Sequence, residues 1–150
     1  MKQMQVAAIE NGTVIDHIPN NKLFTVVHIL KLRHLTDATI SMGYNLDSKK
    51  MGKKSLIKIS DHYFSDAELN QLAVVAPNVT LCIIKNYEMV EKKKVHLLKE
   101  LRGIVRCHNP KCITNNEPMT TIFQTVNEEA GILRCHYCER EQQVEDVKFV

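Results

Sequence analysis

The chain has no tryptophan, and only 5% of its 150 residues are aromatic, which leaves little material for a platform on which nucleic-acid bases could stack. It has no apolar run of membrane-spanning length. The N-terminal stretch MKQMQVAAIENG lacks the continuous apolar core and small-residue cleavage site of a secretory signal, so a cytoplasmic location is the expectation. Glycine (5) and proline (4) are sparse, internal repeats and low-complexity tracts are missing, and no glycine loop for phosphate appears. Nor does any linear signature for a nucleophile with its base, so a free-standing enzyme has no support.

Cysteine is also scarce, five in all, but four lie in the last third of the chain. Cys107 and Cys112 enclose four residues, Cys135 and Cys138 enclose two, and 22 residues separate the pairs. Tetrahedral Zn²⁺ takes four thiolates at about 2.3 Å, and a tight turn between paired cysteines supplies two corners at once. With every corner filled by protein the ion holds structure and performs no chemistry, and folding of the segment depends on it. The alternative is two disulfides, which a reducing compartment disfavours. Cys82, alone in an apolar strand-like run, reads as a small buried hydrophobe.

Charge divides unevenly. Residues 1–100 carry 14 Lys+Arg against 10 Asp+Glu, whereas 101–150 carry 6 against 7. Lys49, Lys50, Lys53, Lys54 and Lys58 form one basic stretch and Lys92, Lys93 and Lys94 another; each is a solvated face or part of an anion site. A zinc-ribbon nucleic-acid-binding protein is the alternative these features raise. It is disfavoured because a ribbon that grips nucleic acid carries its basic residues on itself.

Along the first ninety residues strand and helix patterns alternate. Gln5–Ile9 and Thr13–Ile18 read as a strand with a bend or bulge at Asn11-Gly12, ended by Pro19. Apolar residues from Lys22 to Leu35 predict a helix, with Asn20 or Asn21 as N-cap. Thr39–Leu46 and Ser55–Ser60 predict a hairpin through a basic loop, and Ser65-Asp66-Ala67-Glu68 has capping-box spacing for a helix running to Pro77. Leu81–Tyr87 is the last strand of this region, and Glu91–Gly103 reads as a charged connection, partly helical around His96–Leu101. The expected class is α+β. A ferredoxin-like β-α-β-β-α-β sandwich (1–98) precedes a small, mostly-β zinc-ribbon domain (99–150) that is too short to bury a substantial core without its metal.

Two signatures occur together: Gly12-Thr13-Val14-Ile15-Asp16-His17-Ile18-Pro19 near the N-terminus and the Cys-x₄-Cys…Cys-x₂-Cys site near the C-terminus. Between them lie Met51-Gly52-Lys53-Lys54-Ser55-Leu56-Ile57-Lys58-Ile59, Gln71-Leu72-Ala73-Val74-Val75-Ala76-Pro77 and Asn86-Tyr87-Glu88. In this order, over nearly the whole chain, they resemble the regulatory chain of aspartate carbamoyltransferase. The resemblance implies a non-catalytic subunit. Its N-terminal domain would bind nucleotides, with ATP activating, CTP inhibiting and UTP assisting inhibition in some members of the family, so that pyrimidine synthesis is regulated by its end product. Its zinc domain would dock on a separate catalytic chain. Regulatory chains pair through their N-terminal domains, and the usual assembly is a dodecamer of six catalytic and six regulatory chains.

Carried over residue by residue, the resemblance places Ala8, Ile9 and Tyr87 near the base, Asp16 and Lys58 at the ribose, and His17 with Lys92 at the triphosphate. Cys82, Ile84 and Met89 join this site, and Lys54 is the candidate for a second nucleotide bridged through Mg²⁺. Asn109, Lys111, Tyr137 and Arg140 fall at the contact with the catalytic chain. On their own, Asp16 and His17 would read as a turn cap or a structural pair, Lys58 as the polar side of a strand, Tyr137 as a cover over the metal and Arg140 as solvated. Ala7 stands where well-known members carry Glu, Glu10 where they carry Lys, Cys82 where they carry Asn, and Lys111 where they carry Asn. The first three departures bear on nucleotide affinity and on the ATP-versus-CTP response.

Overall fold

The computed structural model describes residues 8–150, which fall into two units, the first ending at Val95 and the second running His96–Val150. The expected strand Gln5–Ile9 lies partly outside the described residues; of it, Ala8 and Ile9 are not in a strand.

In the first unit the elements are β1 (Gly12–Ile18), α1 (Leu23–Ile29), β2 (Ile40–Ser48), β3 (Gly52–Ser60), α2 (Asp66–Asn70), β4 (Thr80–Lys85) and β5 (Glu88–Lys94). The sheet order is β2-β3-β1-β4-β5, antiparallel throughout. Its first four positions are the ferredoxin-like arrangement, with β5 added as an outer strand. Alternation along the strands separates two faces. Thr13 and Ile15 of β1 lie opposite Ile59 and Ile57 of β3, and Ile15 also lies opposite Leu81 of β4; all five are buried. Leu23 and Val26 of α1, Leu69 of α2 and Leu72 complete this core. The intervening row, Val14, Asp16, Lys58, Cys82 and Ile84, stays half-buried.

Strand β5 corrects the sequence reading, which ended the last strand at Tyr87 and made Glu91–Gly103 a connection. Its residues, Glu-Met-Val-Glu-Lys-Lys-Lys, are almost all exposed, so no buried face imposes a hydrophobic alternation. Charge on an outer strand also guards its unpaired edge. Asn86 (φ 53°) and Tyr87 (φ 67°) make the two-residue left-handed turn that a tight hairpin requires. Residues 96–101 contain no helix.

Helix α1 is shorter than the periodicity predicts. A 3-10 turn, Asn20–Lys22, precedes it, and Lys31 (φ 54°) stops it before a second 3-10 turn, Leu32–His34. No side-chain cap forms, because Asn20 is engaged elsewhere: its Oδ1 accepts from the Ser55 hydroxyl (2.7 Å) and the Asn45 amide (3.1 Å). Asn20 therefore ties the helix entrance to the β2–β3 hairpin. At α2 the capping box is present, with Ser65 Oγ accepting from the Glu68 amide (3.1 Å) and Glu68 Oε1 accepting from the Ser65 amide (2.9 Å). After one α-turn the chain tightens into a 3-10 segment, Gln71–Val74.

At Asn11-Gly12 the structure has the bend and not the bulge: Glu10 and Asn11 bend before β1 starts, and the bulge of β1 lies at Asp16–His17, where the register against β3 shifts between Ile15 and Ile18. Gly12 serves close approach: a Cβ there would stand 2.0 Å from the Ile59 carbonyl oxygen.

The second unit contains β6 (Glu100–Arg102), β7 (Val105–Arg106), β8 (Ile122–Asn127), β9 (Ile132–Cys135), β10 (Glu141–Gln143) and β11 (Lys148–Phe149). One sheet runs β10-β9-β8-β6, and β11 pairs with β7 in a two-stranded ribbon. Its core is small, with Leu101, Val105, Phe123 and Leu133 fully buried beside the buried Cys107, Cys112 and Cys135. So few apolar side chains need a further cross-link. Among the described residues, no helix is long and apolar enough to cross a membrane.

Candidate functional sites

The four cysteine sulfurs of the second unit all lie within 4.8 Å of one another. Cys107 Sγ is 3.5 Å from Cys138 Sγ, and Cys112 Sγ is 3.7 Å from Cys135 Sγ. Sulfurs about 2.3 Å from a central ion in a tetrahedron stand about 3.8 Å apart, whereas a disulfide needs about 2.05 Å. The donor set fits a metal, and the thiols are unpaired. The backbone prepares the site. Cys112 N–H donates to Asn109 O (3.0 Å), and Cys135 exchanges with the second knuckle through Arg140 O (3.0 Å) and the Glu139 amide (3.0 Å). Burial pushes the Cys107 and Cys135 thiols up. Cys138 moves the other way, down to about 7, because the Arg140 amide, the Asn109 side chain and the neighbouring thiols Cys107 and Cys135 outweigh its burial.

Two residues that the sequence reading missed brace the first knuckle. The Asn115 side-chain amide donates to Cys107 O (2.9 Å) and Asn109 O (2.8 Å), and that of Asn116 to Cys112 O (2.9 Å) and Pro110 O (3.0 Å). The Asn115-Asn116 pair, separated from Cys112 by two residues, was the available signal. Of the expected docking residues, Asn109 is half-buried and accepts from the Lys111 amide (3.1 Å), while Lys111 and Arg140 are exposed. Tyr137 is exposed and meets His136 edge-on at 5.1 Å.

In the first unit, the row crosses four strands in register, half-buried on β3, β1 and β4 and exposed on β5. Lys58 of β3 lies opposite Val14 of β1, Val14 opposite Cys82 of β4, and Cys82 opposite Lys92 of β5. One step along, Ile84 lies opposite Gly12 and Met89. The β1 bulge adds Asp16 and His17, whose left-handed φ of 59° is unusual for a residue other than glycine. Asp16 Oδ1 accepts from the His17 amide (2.6 Å) and from Lys54 Nζ (2.8 Å), and His17 Nδ1 lies 3.0 Å from Thr80 Oγ1.

The electrostatics bind these residues into one group. Burial lowers the His17 imidazole below its usual value; Asp16 opposes, while Lys54, Lys50 and Lys92 lower it further. Burial also lowers Lys58 against the pull of Asp16. Burial and Asp16 raise the Cys82 thiol, with Lys92 and Lys54 opposing. Lys50 and Thr80 are members the sequence reading missed; Lys50 belonged to a recognised basic stretch, but nothing in the linear sequence linked it to His17.

At the far end of the row, Tyr87 N–H donates to Glu10 O (2.8 Å) and Asn86 N–H to Asn11 Oδ1 (3.2 Å). These bonds hold the segment following Ala8 and Ile9 against the β4–β5 turn. Tyr87 and Met89 are exposed there. Ala7 lies outside the described residues.

Comparison with known proteins agrees with this division. Residues 4–96 match the aspartate carbamoyltransferase regulatory chain, allosteric domain, and residues 99–148 match the metal binding domain of the same chain. A regulatory chain from Phocaeicola vulgatus is 60% identical over 147 residues, covering 98% of this chain and 94% of the relative. One from Bacteroides fragilis is 57% identical, covering 98% and 95%. One from Pyrococcus abyssi is 45% identical over 148 residues, covering 98% and 97%. None of these names supports the nucleic-acid alternative. With both domain matches and identities of this size along nearly its whole length, the chain belongs to the family of aspartate carbamoyltransferase regulatory chains, as a non-catalytic member with an allosteric and a metal-binding domain.

Proposed function

We propose that this chain senses nucleotides for a separate aspartate carbamoyltransferase catalytic chain, with CTP and ATP bound on the open face of the first unit. The observation that carries the reading is the convergence of the half-buried Asp16, His17, Lys54 and Lys58 and the exposed Lys92 on one cross-strand row and its adjoining bulge. Lysines supply point charges to phosphate, and a carboxylate accepts from ribose hydroxyls. Asp16, now shared by Lys54 and the His17 amide, exchanges its lysine for the ribose while Lys54 turns to phosphate. Ala8, Ile9, Cys82, Ile84, Tyr87 and Met89 supply the base end, where strand backbone separates an amino from a keto edge. UTP and a Mg²⁺-bridged second nucleotide at Lys54 belong to the same reading.

In the second unit one structural Zn²⁺ per chain, held by Cys107, Cys112, Cys135 and Cys138, fixes the knuckles on which Asn109, Lys111, Tyr137 and Arg140 meet the catalytic chain. The working assembly is cytoplasmic: regulatory chains paired through their first units link catalytic trimers, six chains of each kind, with no role for nucleic acid or membrane. Nucleotide binding shifts the quaternary equilibrium only as far as its affinity differs between the two states.

Calorimetric titration of the zinc-loaded chain tests the sensor directly. CTP and ATP bind, their monophosphates bind at least about 10-fold more weakly for want of lysine contacts, and the chain alone transfers no carbamoyl group. Equal affinity for mono- and triphosphates, or carbamoyl transfer by the pure chain, contradicts the reading.

A further inference from the structure

The β7–β11 ribbon sets Lys148 directly opposite Arg106. Like charges facing each other across two strands destabilise the pair. Both residues are exposed, and among the described residues neither has a carboxylate partner, although acidic side chains outnumber basic ones over 101–150. The two cations line an open cleft of about 620 Å³ together with Cys107, His108, Pro110 and Asn115.

The walls of this cleft are fixed. Asn115 is bonded to two backbone carbonyls of the first knuckle, and His108 is held at both ends, by its Nε2 to Asp146 O (2.7 Å) and by its amide to Gln142 Oε1 (3.2 Å). A cleft with these walls held in place and two cations that lack a carboxylate partner is organised for an anion before it arrives. The guanidinium fork of Arg106 matches a carboxylate in two-point geometry, and Lys148 adds a point charge. The one aromatic ring that lines the cleft, the imidazole of His108, is engaged through its Nε2 with Asp146 O, and the lining residues His108 and Pro110 neighbour Asn109 and Lys111 in sequence.

We propose that the Arg106–Lys148 cleft receives a carboxylate-bearing segment of the catalytic partner. This rests on the regulatory-subunit reading above and gives the zinc unit an acidic counterpart. Docking turns a repulsive pair into a salt-bridged one, so the stability lost in the free chain is recovered on assembly.

The test compares the full-length, metal-loaded chain with a variant carrying Arg106→Gln and Lys148→Gln, each titrated against the catalytic trimer by sedimentation velocity at low and high salt. A second variant, Lys31→Gln with Arg33→Gln on the first unit, controls for lost net charge. The expected result is affinity weakened about 10-fold or more at low salt, a shallower salt dependence and no change in the control. The isolated cleft variant keeps its metal and is at least as stable as the parent, since a repulsion has been removed.

Unchanged affinity and salt slope in the cleft variant overturn the proposal. Metal loss from the variant also overturns it, assigning the cations to balancing the thiolates. So does loss of self-association by the variant with trimer binding intact, which assigns the cleft to a second copy of the chain. If the parent chain binds no trimer under any condition, the regulatory-subunit reading fails first and takes this one with it.

Discussion

Lys54 Nζ lies 2.8 Å from Asp16 Oδ1, and both side chains are mostly covered, with 17% and 24% exposure. The pair joins β3 to the bulge of β1 in the middle of the proposed nucleotide site. Covering raises the cost of separating such charges and of leaving one alone. Asp16→Asn therefore destabilises the chain by about 1–3 kcal/mol and weakens CTP and ATP binding by about 10-fold or more. Urea denaturation and calorimetry measure the two effects separately. An Asp16→Asn chain that binds nucleotide normally contradicts the role given to this carboxylate.

His17 couples the site to pH. Its imidazole titrates lower in the folded chain than in the unfolded one, so the unfolded chain binds more protons as pH falls through the usual value near 6.5. The stability held by neutral His17 is fully present above that value and is lost as pH falls through the lower, folded-state value. Triphosphate reverses the electrostatic sign, because added negative charge favours imidazolium. Nucleotide binding therefore takes up a proton below neutrality and tightens as pH falls. Titrations in buffers of different ionisation enthalpy detect this uptake, and His17→Gln abolishes it.

Gly12 admits no side chain. With φ at +141° and a Cβ position 2.0 Å from Ile59 O, Gly12→Ala forces β1 and β3 apart beneath the proposed site. A loss of about 3 kcal/mol or more is expected. Denaturation shows it as a shifted midpoint, and nucleotide affinity falls with it because Val14 and Lys58 no longer keep register.

Metal removal separates the two units. Chelation unfolds the second unit, where few apolar residues surround the cysteines, and leaves the first with its own core and its nucleotide affinity. Hydrogen exchange resolved by residue tests this: protection at Phe123 and Leu133 is lost while protection at Ile15 and Ile57 remains. Refilling with cobalt restores protection and gives the absorption of a tetrahedral thiolate site.

The sequence made some of this readable and hid the rest for physical reasons. The capping box at Ser65 and Glu68 is a local interaction between residues three apart, so it was readable directly. The four cysteines were readable because ligand spacing is imposed by the knuckle turns. Strand β5 was hidden because an exposed edge carries no alternation, and the length of α1 was hidden because Asn20 bonds residues far along the chain. The proposed nucleotide row was assigned through resemblance. Its geometric basis, Lys58, Val14, Cys82 and Lys92 in cross-strand register, depends on strand pairing that the linear sequence does not display.

The most direct test mixes the zinc-loaded chain with a cognate catalytic trimer, records mass by light scattering and follows aspartate saturation with and without CTP and ATP. A large mixed complex whose saturation curve moves with nucleotide is the predicted result. A trimer whose mass and curve are unchanged by the chain would contradict the account at its centre.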